Sequence, residues 1–315
     1  MKHALLPLLL AMAATPAAAQ SLYQKGEPYL VVETGVKYQR LQDALFAIGD
    51  HTGTIRIAPG TYRDCGVQVE GNVTFIAQVP GKTTFWFQSC ENKAALVLRG
   101  RSARVEGLVF DGIRLPEGNG AGIRLEKGDL TVVQSWFRNG DEGILAANDP
   151  HGQVTIDHAT FTHLGRCDRG LACAHSIYIN FYDRVTVTNT RFEMGDGGHY
   201  LKVRAGHVSV LDNSFDDSGG RGTNYMIDLP AGSTGRILRN WFVQGRSKEN
   251  PTTLIAVAAE GHEHSSDGLV IESNVARFAP GAAGQPAFVG DWSGDRILVG
   301  RNQLAPGIVP YQRRR

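Results

Sequence analysis

The chain has 315 residues, 38 of them glycine and only 4 methionine, and its 32 Lys+Arg balance 31 Asp+Glu to a net charge of +1. So even a balance excludes the basic footprint of a nucleic-acid or membrane-surface binder, and neither is expected as a partner. Abundant glycine among many short β-type runs points instead to an all-β protein with tight turns.

Residues 1–19 carry Lys2 and His3, an apolar run from Leu5 to Met12, and Ala17-Ala18-Ala19 before Gln20. Basic, apolar and small-residue regions in that order form a cleavable signal peptide, so the mature protein is expected in the periplasm or outside the cell. No later apolar stretch approaches the roughly 20 residues of a membrane helix. Within the N-terminal segment 20–53, YQRLQDALFAI (38–48) sets Leu41, Ala44, Leu45 and Ile48 on one helical face. This short helix is expected to cap the first coil of the β-structure on its C-terminal side. TIRIAPGTY (54–62) then reads as a strand and a Pro-Gly turn.

From there the chain repeats itself. LTVVQSWF, VTIDHATF, VTVTNTRF, VSVLDNSF and GRILRNWF share one layout, ending in Phe137, Phe161, Phe192, Phe215 and Phe242 at intervals of 24, 31, 23 and 27. Each unit also carries an earlier strand: GIRLE, GILAA, SIYIN, YLKVR, YMIDL or LIAVA. A repeated unit of about two dozen residues cannot bury its own apolar face and must stack on its neighbours. Period-two alternation excludes helical repeats. The predicted fold is therefore a single-stranded right-handed parallel β-helix, a solenoid over 54–304 with a frayed, solvated tail at 305–315. The recurring Phe residues are expected to stack in the core, while Trp136 and Trp241 point outward.

Four cysteines lie beyond the leader: Cys65, Cys90, Cys167 and Cys173. An even number in an oxidising compartment predicts disulfides, and local spacing favours Cys65–Cys90 and Cys167–Cys173. Neither pair has zinc-knuckle spacing. His151, His158 and His163 fall on different faces of one unit, and His262 and His264 lack further ligands, so no metal site is expected.

The leader, the capping helix, IRIAPGTY and the rungs resemble the pectin-lyase-like superfamily of secreted carbohydrate-active β-helix proteins. HSIYIN, GHYLKVRA, YMIDLP and ENPTTLIAVAAEG are similar to a family of bacterial exported β-helix repeat proteins that typically reads His-Asn-Ile-Tyr-Ile, Gly-His-Leu-Leu-Lys-Ser-Arg-Ala and Glu-Asn-Pro in that order. The resemblance implies the fold and a polysaccharide partner. The chain departs from the superfamily's better-defined enzymes, lacking both the paired aspartates of polygalacturonases and the clustered strand carboxylates that hold calcium in pectate lyases. No cofactor is expected; calcium has no supporting motif.

The stacking of rungs concentrates chemistry on one face. His175 and His199 open equivalent strands 24 residues apart, so they become ladder neighbours about 5 Å apart. Alternation turns Tyr178, Asn180, Lys202 and Arg204 outward, places Tyr178 over Lys202, and sets Asp228 beside Lys202. Tyr225, Arg124, Glu126 and Glu260 extend the same face. Such a strip suits an anionic sugar. Lysis of a uronic-acid polymer requires neutralisation of the C6 carboxylate, a base for the C5 proton and an acid for the departing O4. Lys202 and Arg204 suit the first role; Lys202, among neighbouring cations, also suits the base. Tyr178 or His199 suits the acid, and Asp228 would orient Lys202 or a histidine. A C5-epimerase would use nearly the same set. Two other readings stand beside this one: a glycoside hydrolase using Asp228, Glu126 and Glu260, and a monomeric envelope protein that binds glycan without turnover. The 31-residue interval ahead of HSIYIN holds CDRGLAC, a loop expected to flank the strip.

Overall fold

The computed structural model describes residues 26–314, so the leader expected at 1–19 lies outside the described residues. The repeats form three parallel sheets, of twelve, ten and ten strands, and each turn contributes one strand to each sheet in the same order. The result is a right-handed parallel solenoid of about 9 turns. Helix α1 (Leu41–Ile48) covers its first coil with Leu41, Ala44, Leu45 and Ile48, the four residues that the spacing selected. An antiparallel pair, Tyr29–Val31 and Val36–Tyr38, extends the first sheet at the same end.

The core is built of side-chain columns. Phe110, Phe137, Phe161, Phe192, Phe215 and Phe242 stack ring on ring, with centroids 4.7–5.1 Å apart. That spacing is the rise between hydrogen-bonded strands, so one sequence position repeated per turn becomes one continuous aromatic stack. Beside it runs an asparagine ladder. Asn240 Nδ2 donates to the Val210 carbonyl and to Asn274 Oδ1, and its own Oδ1 accepts from the Asn213 amide. Each of these corners is turned by a residue in the left-handed region, Asp212 at φ 60° and Arg239 at φ 57° among them. The asparagines satisfy the backbone groups such a corner exposes to the interior. Asn240→Ala is therefore expected to cost about 1–3 kcal/mol, measured by urea unfolding. A cost under about 0.5 kcal/mol, the range of surface substitutions, would show the ladder to be ornamental.

Both predicted disulfides are present, Cys65–Cys90 and Cys167–Cys173, with no free cysteine. They fit an oxidising, exported environment, and no helix among the described residues is long and apolar enough to cross a membrane. The C-terminal tail differs from expectation. Val309–Arg313 is not frayed but forms a further strand of the third sheet, paired with Ala287–Asp291. Arg313 and Arg314 donate to the Gly294 and Thr252 carbonyls, so these two charges anchor the last rung rather than solvating it.

Candidate active site

The third sheet carries the strip. Its register aligns Arg124, Leu145, Tyr178, Lys202, Asp228, Ala256, Gly290 and Gln312 in a single outward column. A second column lies along one edge. There the rings of His175 and His199 stack 4.8 Å apart, and His199 stacks on Tyr225 at 5.3 Å. Asn180 and Arg204, just past their strands, line the opposite edge.

At the centre the groups converge. Asp228 Oδ2 lies 3.3 Å from His199 Nε2 and 3.5 Å from Lys202 Nζ. Lys202 also pairs with Glu260 Oε1, while Glu260 Oε2 pairs with Arg204 Nη2. Arg204 Nε donates to the Tyr178 hydroxyl at 3.0 Å, and the Lys202 ammonium stands 5.4 Å over the Tyr178 ring. The His199 amide donates to His175 Nδ1 at 3.0 Å. Thus Tyr178, His199, Lys202, Arg204, Asp228, Glu260, His175 and Tyr225 form one connected cluster, whose members on the strands follow the register while Glu260 joins from the connection after its strand.

Two expectations about that cluster are corrected. The strip is not an open surface: Lys202 is 7% and Asp228 1% exposed, and Glu260 closes over Lys202 and Arg204 from the connection after its strand. Surface ion-pair arithmetic does not apply to such a pair. Lys202, moreover, is flanked by carboxylates rather than by cations. Any role as a base must pass through Asp228, whose pKa burial pushes up to about 7 against the opposing charge of Lys202. Asp228 Oδ1 is buried with no hydrogen-bond partner, and His199 Nδ1 has no well-formed one. Burial also drives the His199 pKa well down and that of His175 to about 3, so both rings are neutral. Glu260 is the exception on the strip. Burial works against its charge, but the Lys202 hydrogen bond and the Lys202 and Arg204 charges hold its pKa below the ordinary value.

Arg124 and Glu126 share the face but not the cluster. Leu145 stands between Arg124 and Tyr178 in the column and packs with Val97, Ala121 and Tyr178 in an apolar patch on that face. Glu126 is taken up by Lys93 and Arg99 in its own ion-pair group. Trp136 and Trp241 do point outward, yet on the second sheet, each beneath an arginine, Arg138 or Arg277. The one group of metal-type ligands among the described residues is Cys167, Cys173 and Glu249, and its thiols are already joined in a disulfide.

The sequence reading missed Glu142. Ile144 pairs with Ile177, which puts Glu142 two residues back on its strand, level with His175 in the edge column. It is fully buried, its Oε2 lacks a partner, and burial raises its pKa well above the usual range. The signal was its offset from GILAA, equal to that of His175 from Ile177. Also missed was Trp292, whose ring lies 6.4 Å from Tyr225 and closes the far end of the strip. Gly290 permits this, since a Cβ there would stand 3.1 Å from the indole.

The loops along the edge brace one another. Asp217 is completely buried, accepts from the Tyr200 and Thr223 hydroxyls, and pairs with Lys248 Nζ at 3.1 Å. The CDRGLAC loop is braced by buried Arg166, which donates to the Gly118 and Ala172 carbonyls, and its Cys167 lies 3.7 Å from Glu249 Oε2.

Three parallel sheets wound in one solenoid, with a charged strip sheltered on one of them, define a right-handed parallel β-helix. Residues 94–278, more than half of the chain, match the family described as right handed beta helix region, and the chain belongs to that family. The architecture is consistent with the pectin-lyase-like superfamily, where this scaffold often acts on polysaccharides. No curated protein and no solved structure matches the chain.

Proposed function

We propose that the protein is an exported polysaccharide lyase, or C5-epimerase, acting on a uronic-acid-containing polymer. One observation carries the reading: Lys202 and Arg204 together grip a carboxylate, that of Glu260, which itself stands on an accessible loop. A uronate C6 carboxylate presents the same group to the same pair. When substrate displaces Glu260, Arg204 holds the C6 carboxylate, draws charge from C5 and acidifies its proton, and Lys202 is freed to serve as the base.

Asp228 completes the cycle. Standing 3.5 Å from the ammonium, it takes up a proton from Lys202, leaving an amine opposite a neutral acid. The amine takes the C5 proton, the C5 electrons form the C4–C5 double bond, and the C4–O4 bond breaks. Tyr178, whose oxygen already accepts from Arg204, donates its proton to O4. In an epimerase the same carbanion is instead reprotonated on its opposite face. The leader and the two disulfides support export.

Incubation with alginate, pectate and glucuronan should yield 4,5-unsaturated ends that absorb in the ultraviolet. Lys202→Ala should slow this by on the order of 100- to 10,000-fold. Undiminished turnover in that variant would remove the site from the mechanism. A second reading has one specific support: Asp228 and Glu260 touch a common ammonium while their environments push their pKa values apart, the pattern of an acid and a nucleophile in glycoside hydrolysis. Reducing ends without unsaturation would favour it. Retention of polymer with no product of either kind would mark a binding protein.

A further inference from the structure

Beyond the Trp292 wall lies a cleft of about 530 Å3, bounded by the loops at 245–252 and 279–286 and by the last strand. It is lined by three cations, Arg246, Lys248 and Arg314, and by no acidic residue. Lys248 is neutralised by Asp217. Arg246, by contrast, makes no hydrogen bond or ion pair among the described residues and rests against Gly281, its nearest guanidinium nitrogen 3.5 Å from where a Cβ would stand. Arg314 turns toward Thr252 and Thr253 and leaves its Nε buried without a partner.

The wall opposite supplies a second, independent sign of a missing ligand. Gln244 is 3% exposed, and its Oε1 has no donor to accept from. A buried acceptor left unsatisfied costs about 1–3 kcal/mol unless something fills the place. The cleft thus offers an orphaned acceptor, an orphaned donor and uncompensated positive charge. Hydroxyls answer the first, and a carboxylate answers the other two.

We propose that this cleft is a distal subsite for an anionic sugar unit of the same chain that the strip engages. The proposal rests on the strip reading for the polymer's identity, but not for the binding itself. The register places the cleft two to four rungs from Lys202, about 10–20 Å along the solenoid axis. Arg314 lies 5.7 Å over Trp292, and Trp292 adjoins Tyr225, so Trp292 links a residue of the cleft to one of the strip and offers an aromatic surface on which a sugar ring can rest. A polymer running along the third sheet would meet the cations of the strip, this platform and then the cleft. The arrangement selects long anionic oligomers over short ones and over neutral glycans.

The test compares Lys202→Ala with the double variant Lys202→Ala/Arg246→Gln, so that turnover does not consume the ligand. Calorimetry would track long uronate oligomers, a uronate disaccharide and a neutral glucan oligomer. Arg246 is exposed and unpartnered, so its loss should leave the melting temperature unchanged. The double variant should bind long uronate oligomers about tenfold more weakly, the loss of one charge-assisted contact worth about 1.4 kcal/mol, and the glucan should bind to neither variant. Gln244→Leu should weaken binding in the same direction. Equal affinity in both variants, or equal affinity for glucan and uronate oligomers, would overturn the subsite. Arg246-dependent binding without any polymer cleavage would uphold the cleft and refute the strip; cleavage without Arg246 dependence would do the reverse.

Discussion

Asp228→Asn should slow chain cleavage by on the order of 100- to 10,000-fold, the usual worth of a positioned general acid–base group. It should also change how stability depends on pH. The native pKa of Asp228, about 7, lies above the ordinary carboxyl value of 3.8. The native state therefore holds a proton that the unfolded chain releases at lower pH. The stability linked to that proton is fully present below about pH 4 and is lost as pH rises toward 7. At 1.36 kcal/mol per pH unit the loss reaches roughly 2–4 kcal/mol. His175 and His199, with depressed values, act in the opposite direction, since their contribution is lost as pH falls through the range below their ordinary value of 6.5. For that reason the informative quantity is the difference between variant and wild type, in which the histidines cancel. The melting temperature of Asp228→Asn should gain on that of the wild type between about pH 5 and about pH 8. A constant difference across that range would mean that Asp228 does not titrate there.

Lys248→Met should be the most destabilising single change along the edge of the strip. Asp217 is wholly buried and would be left charged beside the Tyr200 and Thr223 hydroxyls, without its ammonium partner. Removing one member of such a pair typically costs about 3–5 kcal/mol. In a chain of this length that corresponds to a fall in melting temperature of very roughly 10 °C. The effect should reach the site, because Thr223 bridges to both Gly198 and Lys248 and so fixes the approach to His199 and Tyr225. Lys248→Met/Asp217→Leu should recover much of the loss, since it is the orphaned charge, not the absent bond, that costs most. Denaturant unfolding of the three proteins decides this. A loss under about 1 kcal/mol for the single variant would place the pair in a surface-like environment.

The sequence alone determined a good deal. Repeated apolar positions with a terminal Phe imply stacking, since an aligned column is the one arrangement that buries the same side of every unit. The capping helix is implied by four apolar residues on one face, and both disulfides by local spacing. Even the pairing of Lys202 with Asp228 was legible, because in a parallel ladder equal offset within the strand means adjacency in space. Glu142 could have been found by the same rule, applied one residue outside the β-type run.

What the sequence could not decide was everything set by loops, whose lengths vary from rung to rung and obey no register. Glu260 closes over Lys202 and Arg204 from a connection after its strand, turning an outward strip into a buried one. That burial, not residue type, moves Asp228 toward neutrality and holds both histidines uncharged. Arg124 and Glu126 show the converse: they lie on the correct face, yet an apolar patch and a local ion-pair group keep them out of the cluster. The tail, too, looked solvated by composition. Its strand and the cleft behind it exist because the last rung offered unpaired backbone groups, and only the tertiary structure shows which segment supplies their partners.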